Sequence, residues 1–94
     1  MARELFLTRT FERLFKKLPK AIQDQAFEKL ALFLEDLSHP SLRVKKINNP
    51  FILRLSKDAI WELSVTMNYR ITFEVEGERV LLRRIGTHDV LREP

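Results

Sequence analysis

Three ionisable side chains in the C-terminal half of the chain, Glu62, Arg70 and His88, are of the types that can cleave RNA without a metal ion. That reaction needs a base to take the proton from the 2′-hydroxyl, a cation to stabilise charge on the phosphorane, and an acid to protonate the leaving 5′-oxygen. Histidine titrates near neutral pH and serves as acid or base, and the planar guanidinium of arginine binds two phosphate oxygens. Phosphodiester cleavage is therefore a function to test against the fold.

Each of these three residues also has a purely structural interpretation. Arg70 falls at a strand position where a solvent-exposed residue is expected to be charged, and Glu62 can simply pair with it across two strands. A lone His88 after a glycine is often a turn or capping residue rather than a catalyst. The residue types alone leave both interpretations open.

Alternating polar and apolar residues over 60–67 and 69–76 predict two β-strands, each with one buried face and one wet face. A third run, 79–85, is apolar at three consecutive positions, as expected of an inner strand. On this pattern the buried face holds Trp61, Leu63, Val65, Tyr69, Ile71 and Phe73, and the open face holds Glu62, Ser64, Thr66, Arg70, Thr72, Glu74 and, depending on the register, Arg83 or Arg84. His88 follows just beyond the end of the third strand.

The N-terminal half predicts a short strand followed by two helices. Residues 4–8 alternate as a strand does, and Thr8 is a suitable N-cap for a first amphipathic helix. Pro19 ends that helix and is favoured in the first turn of a second one, which should run to about Leu37. A short apolar run at 51–55 predicts one more strand.

This order of elements predicts an α+β fold. A short N-terminal strand leads into a two-helix hairpin, which packs on one face of a mostly antiparallel sheet of three or four strands. Because the chain has only 94 residues, we expect a single domain that spans residues 1–94.

Composition excludes several classes of site. The chain has no cysteine and two histidines, which excludes disulfides and cysteine-based zinc sites and makes a histidine-rich metal site improbable. We therefore expect no metal and no cofactor. No apolar stretch reaches membrane-spanning length, and the N-terminal apolar patch is too short for a signal peptide. The expected location is the cytoplasm, with no membrane partner.

The formal net charge of +4 suggests a polyanion or an acidic protein as partner. The densest basic cluster consists of Arg43, Lys45 and Lys46. Such a cluster is either a solvated face or a surface that meets nucleic acid, and composition does not decide between the two.

Four segments carry a resemblance to a known family. They are Ser41-Leu42-Arg43-Val44-Lys45-Lys46-Ile47, Ile60-Trp61-Glu62-Leu63-Ser64-Val65, Asn68-Tyr69-Arg70-Ile71-Thr72-Phe73 and Leu82-Arg83-Arg84-Ile85-Gly86-Thr87-His88-Asp89. In this order they resemble the RelE/ParE toxin superfamily, in particular the YafQ- and RelE-like mRNA interferases. The first half agrees, with a short strand, a Thr-to-Phe helix start and a Leu-Pro-Lys entry into a second helix.

The resemblance implies a toxin of a type II toxin–antitoxin system, an endoribonuclease that cuts messenger RNA without a metal, often on the ribosome. Arg70 matches the phosphate-binding arginine of the family, and His88 matches the histidine that acts as acid or base in the YafQ-like branch. The residues matched to RNA contacts are Arg43, Lys45, Lys46 and, more weakly, Arg84. The implied partners are messenger RNA, the ribosome and a cognate antitoxin, and a heterotetramer with the antitoxin is compatible with the resemblance.

The sequence also departs from the family pattern. Glu62 and Ser64 occupy positions where RelE has catalytic lysines, and Leu91 and Arg92 lie where several members have a stacking aromatic residue. These departures favour a histidine-centred mechanism, and they leave open whether activity is reduced or lost. Two alternatives remain: a ParE-like toxin that inhibits DNA gyrase by binding alone, and a basic RNA-binding module.

Overall fold

A computed structural model describes residues 4–47, 59–87 and Val90 of the chain. Its elements are β1 (Glu4–Leu7), α1 (Arg9–Lys16), α2 (Lys20–Glu35), a short 3-10 helix (Pro40–Leu42), β2 (Lys45–Lys46), β3 (Trp61–Ser64), β4 (Arg70–Glu76) and β5 (Arg79–Gly86). The predicted strand at 51–55 lies outside the described residues.

The five strands form one sheet in the order β1-β5-β4-β3-β2. β1 runs parallel to β5, and the other three pairings are antiparallel. The predicted α+β fold, two helices packed on a mostly antiparallel sheet, is confirmed. The sheet has more strands than expected because the two-residue strand β2 pairs with β3 at the edge. Its lysines show no apolar alternation, so the sequence predicts a basic segment there and not a strand.

Thr8 connects the first helix to the centre of the sheet. Its hydroxyl oxygen accepts a hydrogen bond from the backbone NH of Phe11, which confirms it as the N-cap of α1. The same hydroxyl lies 2.9 Å from the carbonyl oxygen of Leu82 on β5 and donates to that strand. A threonine therefore satisfies a free helix NH and fixes where α1 meets the sheet.

Pro19 precedes α2 and is its N-cap residue, in agreement with the expected break between the helices. The helix ends at Glu35, two residues before the predicted end. Asp36 follows in an extended conformation, and its carboxylate accepts hydrogen bonds from the NH and hydroxyl of Ser38. This local side-chain bonding competes with further helix formation and ends α2 early.

Apolar side chains from both layers meet in one core. The helices contribute Phe11, Ala26, Leu30 and Phe33, the sheet contributes Leu63, Ile71, Phe73, Val80, Leu82 and Ile85, and the core also contains Leu42 of the 3-10 helix and Val65 just after β3. Trp61 and Tyr69 are partly buried against the same cluster. The predicted inward face of β3 and β4 is therefore confirmed.

The expectation that the opposite face is wet is wrong at three positions. Glu62, Ser64 and Thr72 are only 4%, 7% and 0% exposed. These polar groups are nevertheless bonded, since Glu62 pairs with two cations, Ser64 accepts from Arg70, and the Thr72 hydroxyl accepts from the Arg84 backbone NH. Period-two alternation separates two faces, but it does not show whether long neighbouring side chains cover the shorter ones.

β5 contains an irregularity that changes which residues share a face. Thr72 pairs with Arg84 and Phe73 pairs with Leu82, so Arg83 is an extra residue in the ladder. Leu82 and Ile85 are both buried in the core. Because they flank the two arginines, Arg83 and Arg84 both lie on the opposite face, as a β-bulge permits.

Candidate functional site

Arg70 begins β4 at the end of the sheet, between two neighbouring strands. It pairs with Ser64 on β3 and with Gly86 on β5. Its Nη1 donates to the Ser64 hydroxyl and, at 3.2 Å, to the Thr66 carbonyl oxygen. With 18% of its side chain exposed, the guanidinium is held in place and still reaches solvent.

Glu62 lies beside Arg70 on the same face. One carboxylate oxygen is 3.6 Å from Arg70 Nε and 3.7 Å from Lys45 Nζ. Since the carboxylate is almost fully buried, these two cations compensate its charge. The arrangement restrains Arg70 by its Nε side and leaves Glu62 little access to an incoming substrate.

The β-bulge adds two arginines to the same face. Arg83 forms an ion pair with Glu74, and Arg84 forms none with any residue in 4–47, 59–87 or 90. Register allowed either Arg83 or Arg84 on this face, whereas the structure places both there. The sequence contained a sign of this, because two arginines between the buried Leu82 and Ile85 break the period of two.

The structure divides the basic cluster of Arg43, Lys45 and Lys46. Lys45 pairs with Glu62 across the sheet and shares its face, whereas Lys46 pairs with Trp61 and lies on the face toward the helices. Arg43 follows the 3-10 helix in a left-handed conformation, φ 47° and ψ 46°. The three side chains therefore do not form one continuous surface.

An open cavity of about 180 Å³ lies where β3 ends, next to α2 and the 3-10 helix. It is lined by Lys29, Ser41, Arg43, Ser64, Val65, Thr66, Met67 and Arg70. Lys29 was not predicted from the sequence, since a lysine on an amphipathic helix usually faces solvent. Its approach to Arg43 and Arg70 depends on how α2 lies across the sheet, which no local pattern specifies. We call this cavity the basic pocket.

His88 lies outside the described residues, so its predicted role stays a prediction. The structure describes both sides of it: Gly86 pairs with Arg70, and the Val90 backbone NH donates to the Thr87 carbonyl oxygen at 3.0 Å. The strand that leads into His88 thus ends next to Arg70.

Metal-binding groups and membrane-spanning segments were sought in the same residues. Within 4–47, 59–87 and 90, no three histidine, aspartate or glutamate side chains come together as a metal site would require. Among the helices of these segments, none combines the length and apolarity needed to cross a membrane.

No protein-family model and no curated protein sequence matches this chain. Several solved structures match the chain. The DinJ–YafQ toxin–antitoxin complex of E. coli matches with a TM-score of 0.73 and 12% identity, over 97% of this chain and 98% of that chain. The RelE–RelB complex of Pyrococcus horikoshii matches with a TM-score of 0.71 and 13% identity, over 93% of this chain and 96% of that chain. The RelB–RelE complex of Methanococcus jannaschii matches with a TM-score of 0.69 and 20% identity, over 94% of this chain and 95% of that chain. These similarities confirm that the chain has the RelE-like toxin fold that its motifs predict.

Proposed function

We propose that this chain is the toxin of a type II toxin–antitoxin system, and that it is a metal-independent endoribonuclease that cuts messenger RNA on the ribosome. The observation that carries the proposal is the guanidinium of Arg70, held by Ser64 and Glu62 at the end of the sheet where β5 leads toward His88. The fold supports the same conclusion, because toxins in complex with antitoxins have it.

In the proposed reaction, the RNA 2′-oxygen attacks the adjacent phosphorus and the bond to the 5′-oxygen breaks. The products are a 2′,3′-cyclic phosphate and a 5′-hydroxyl. Arg70 donates the two hydrogens of its Nη2 to the phosphoryl oxygens as their charge grows. His88 supplies or removes a proton at one of the two reacting oxygens. Glu62, predicted as catalytic, fits better as a positioning residue that orients Arg70, because it is buried and already bonded to two cations.

The surface around Arg70 suits a polyanion. Lys45, Arg83 and Arg84 share this face, and the carboxylates that β3 and β4 place there are Glu62, Glu74 and, at the far end of β4, Glu76. We propose that Lys45 and Arg84 contact the RNA backbone. Arg43 lies beside the same face at the basic pocket, whereas Lys46 would reach RNA only around the edge of the sheet.

The proposed partner is a cognate antitoxin, an acidic protein segment that covers this basic face and inactivates the toxin. Because ribosomes translate messenger RNA in the cytoplasm, we propose that the activity is cytoplasmic. The two proteins can assemble as a heterotetramer of two toxin chains and two antitoxin chains. Measurement of the molecular mass of the co-expressed complex tests this assembly.

The proposal is tested by expressing the full chain from a tightly controlled promoter and mapping message ends by primer extension. We expect growth arrest, new ends within translated messages, and rescue by co-expression of the protein encoded next to this gene. Arrest without new ends, accompanied by loss of DNA supercoiling, would instead favour a ParE-like inhibitor of gyrase. RNA binding without arrest would favour a simple RNA-binding module.

Gly86→Ala should impair cleavage while the protein stays folded. A Cβ at this position would lie 2.8 Å from Val90 Cγ1, closer than van der Waals contact, and the stiff valine side chain cannot rotate away cheaply. The segment that carries His88 must then shift, and misplacement of a catalytic group by about 1 Å costs on the order of 10²-fold in rate.

The matched control is Gly77→Ala, at the opposite end of β5. Gly77 has a φ of +61° and open space around it, so an alanine strains the turn without touching the site. We expect this variant to lose some thermal stability and to keep its cleavage activity. Equal activity of the two alanine variants in primer extension would contradict the prediction.

A further inference from the structure

We infer that the basic pocket is a phosphate-binding subsite, formed by Lys29 and Arg43 beside Arg70, that holds a backbone phosphate of single-stranded RNA next to the phosphate being cleaved. The inference rests on the proposed function and extends it. It assigns a role to Lys29, a helix residue that none of the sequence motifs includes, and it gives Arg43 a specific ligand.

Three cations from three different elements line this cavity. Lys29 comes from α2, Arg43 follows the 3-10 helix, and Arg70 begins β4. Among the described residues that line it, none is a carboxylate. Neither Lys29 nor Arg43 forms an ion pair within the described ranges. Like charges converging on one open cavity repel each other, and a bound anion relieves that repulsion.

Two hydroxyl groups of the basic pocket, those of Ser64 and Thr66, can donate to an anion. Ser64 already accepts a hydrogen bond from Arg70. The Thr66 hydroxyl accepts from the backbone NH groups of Asn68 and Tyr69, both at 3.1 Å. A hydroxyl has one hydrogen to donate, and an oxygen that accepts within the protein can direct that hydrogen toward a ligand. Charged donors and hydroxyl donors thus line the same cavity, which suits the acceptor-only oxygens of a phosphate.

The backbone of Arg43 supplies an independent argument. Its φ of 47° lies in the left-handed region, which favours glycine or asparagine and which other residues adopt at a cost. Strained residues of this kind cluster at binding sites, where the side chain has a role. Arg43 occupies this position although glycine or asparagine would adopt the backbone conformation more easily. Because Arg43 lines the basic pocket, we infer that its positive charge is needed there.

The position of Arg70 favours RNA over a free anion. Its Nε lies toward Glu62, on the face of the proposed reaction, while its Nη1 lies toward Ser64 and Thr66, which line the basic pocket. The guanidinium of Arg70 therefore lies between the proposed reaction site and the basic pocket. A polynucleotide bound with one phosphate at the reaction site would bring a neighbouring phosphate to Lys29 and Arg43.

The test measures binding of a short 2′-O-methylated single-stranded RNA, which cannot be cleaved, to the full chain made by cell-free synthesis. We expect Lys29→Gln to weaken binding about tenfold for all sequences, and the slope of log K against log salt to fall by about 0.7 for the lost contact. Lys29→Arg should restore both values. The matched control is Lys20→Gln, which removes the same charge from the exposed start of the same helix, where Lys20 pairs with Asp24 at 3.1 Å.

A second variant separates binding from folding. Arg43→Asn removes the charge and places a residue that tolerates the left-handed conformation there. Its thermal stability should equal or exceed that of the wild type, while RNA affinity falls as in Lys29→Gln. A structural role for Arg43 would instead lower stability and leave affinity unchanged.

The remaining outcomes are decisive. If Lys29→Gln binds RNA as Lys20→Gln does, the inference fails although the proposed function stands. If the wild type binds no RNA, both fail. A parallel titration with inorganic phosphate, followed by amide chemical shifts, identifies the source of the anion. Loss of phosphate binding in Lys29→Gln with unchanged RNA affinity would make this a site for a free anion and overturn the assignment to RNA.

Discussion

Replacement of Arg70 by lysine should reduce messenger RNA cleavage by about 10²- to 10³-fold, the usual cost of removing a preorganised donor to a charged transition state. Lysine keeps the charge next to Glu62 but loses the planar pair of donors that binds two phosphate oxygens. Growth arrest should disappear, and primer extension should show the lost message ends directly.

Arg70→Ala should have a larger effect, with a cost in stability as well. Glu62 is almost fully buried, and removing one partner of a buried pair typically costs about 3–5 kcal/mol. The cost here should fall below that range, because Lys45 remains 3.7 Å from the carboxylate. Thermal unfolding of both variants separates loss of chemistry from loss of fold.

Arg79→Ala is the matched control for both Arg70 variants. Arg79 begins β5 at the far end of the sheet, where its guanidinium lies 5.5 Å from the ring centre of Phe6. This variant should arrest growth as the wild type does. Wild-type cleavage by Arg70→Lys would contradict the assignment of Arg70 to the phosphate.

His88→Ala should reduce cleavage by about 10²- to 10⁴-fold, as expected for removal of a general acid or base. The protein should stay folded, and binding of non-cleavable RNA should change little, since Arg70 and the surrounding cations, and not His88, are proposed to bind the phosphates. The combination of intact binding and lost cleavage distinguishes a catalytic histidine from a binding one.

His39→Ala is the control, because His39 is the other histidine of the chain. The Nδ1 of His39 accepts from the Ser41 backbone NH at 3.2 Å and caps the 3-10 helix. Its loss should cost about 0.5–2 kcal/mol of stability, as for other caps, and leave cleavage intact. Growth arrest undiminished by His88→Ala would end the catalytic assignment and favour gyrase inhibition.

The elements specified by local chemistry could be predicted from the sequence. The Thr8 cap, the break at Pro19 and the inward face of β3 and β4 each depend on residues close together in the chain. Arg70 could be placed on the face opposite the helices for the same reason, because alternation along its own strand sets its face.

The features that depend on packing could not be predicted. Glu62 is buried because Lys45 and Arg70 come from neighbouring strands, and alternation within β3 contains no information about them. Lys29 and Arg43 line the same cavity because α2 and the 3-10 helix, which are separate in the sequence, both border it. The β-bulge lies between these two classes of feature. The pair Arg83-Arg84 between two apolar residues indicates an irregularity in the sequence, but not which strand residues pair around it.

The parallel pairing of β1 with β5 affects the timing of folding during synthesis. β5 is the last of the described strands to be synthesised, yet it lies between β1 and β4 in the interior of the sheet. The sheet therefore cannot be completed before β5 has been synthesised, and contacts between segments this far apart in the chain form slowly. For the toxin that we propose, this delay separates the synthesis of β1 from the onset of activity and gives an antitoxin time to bind.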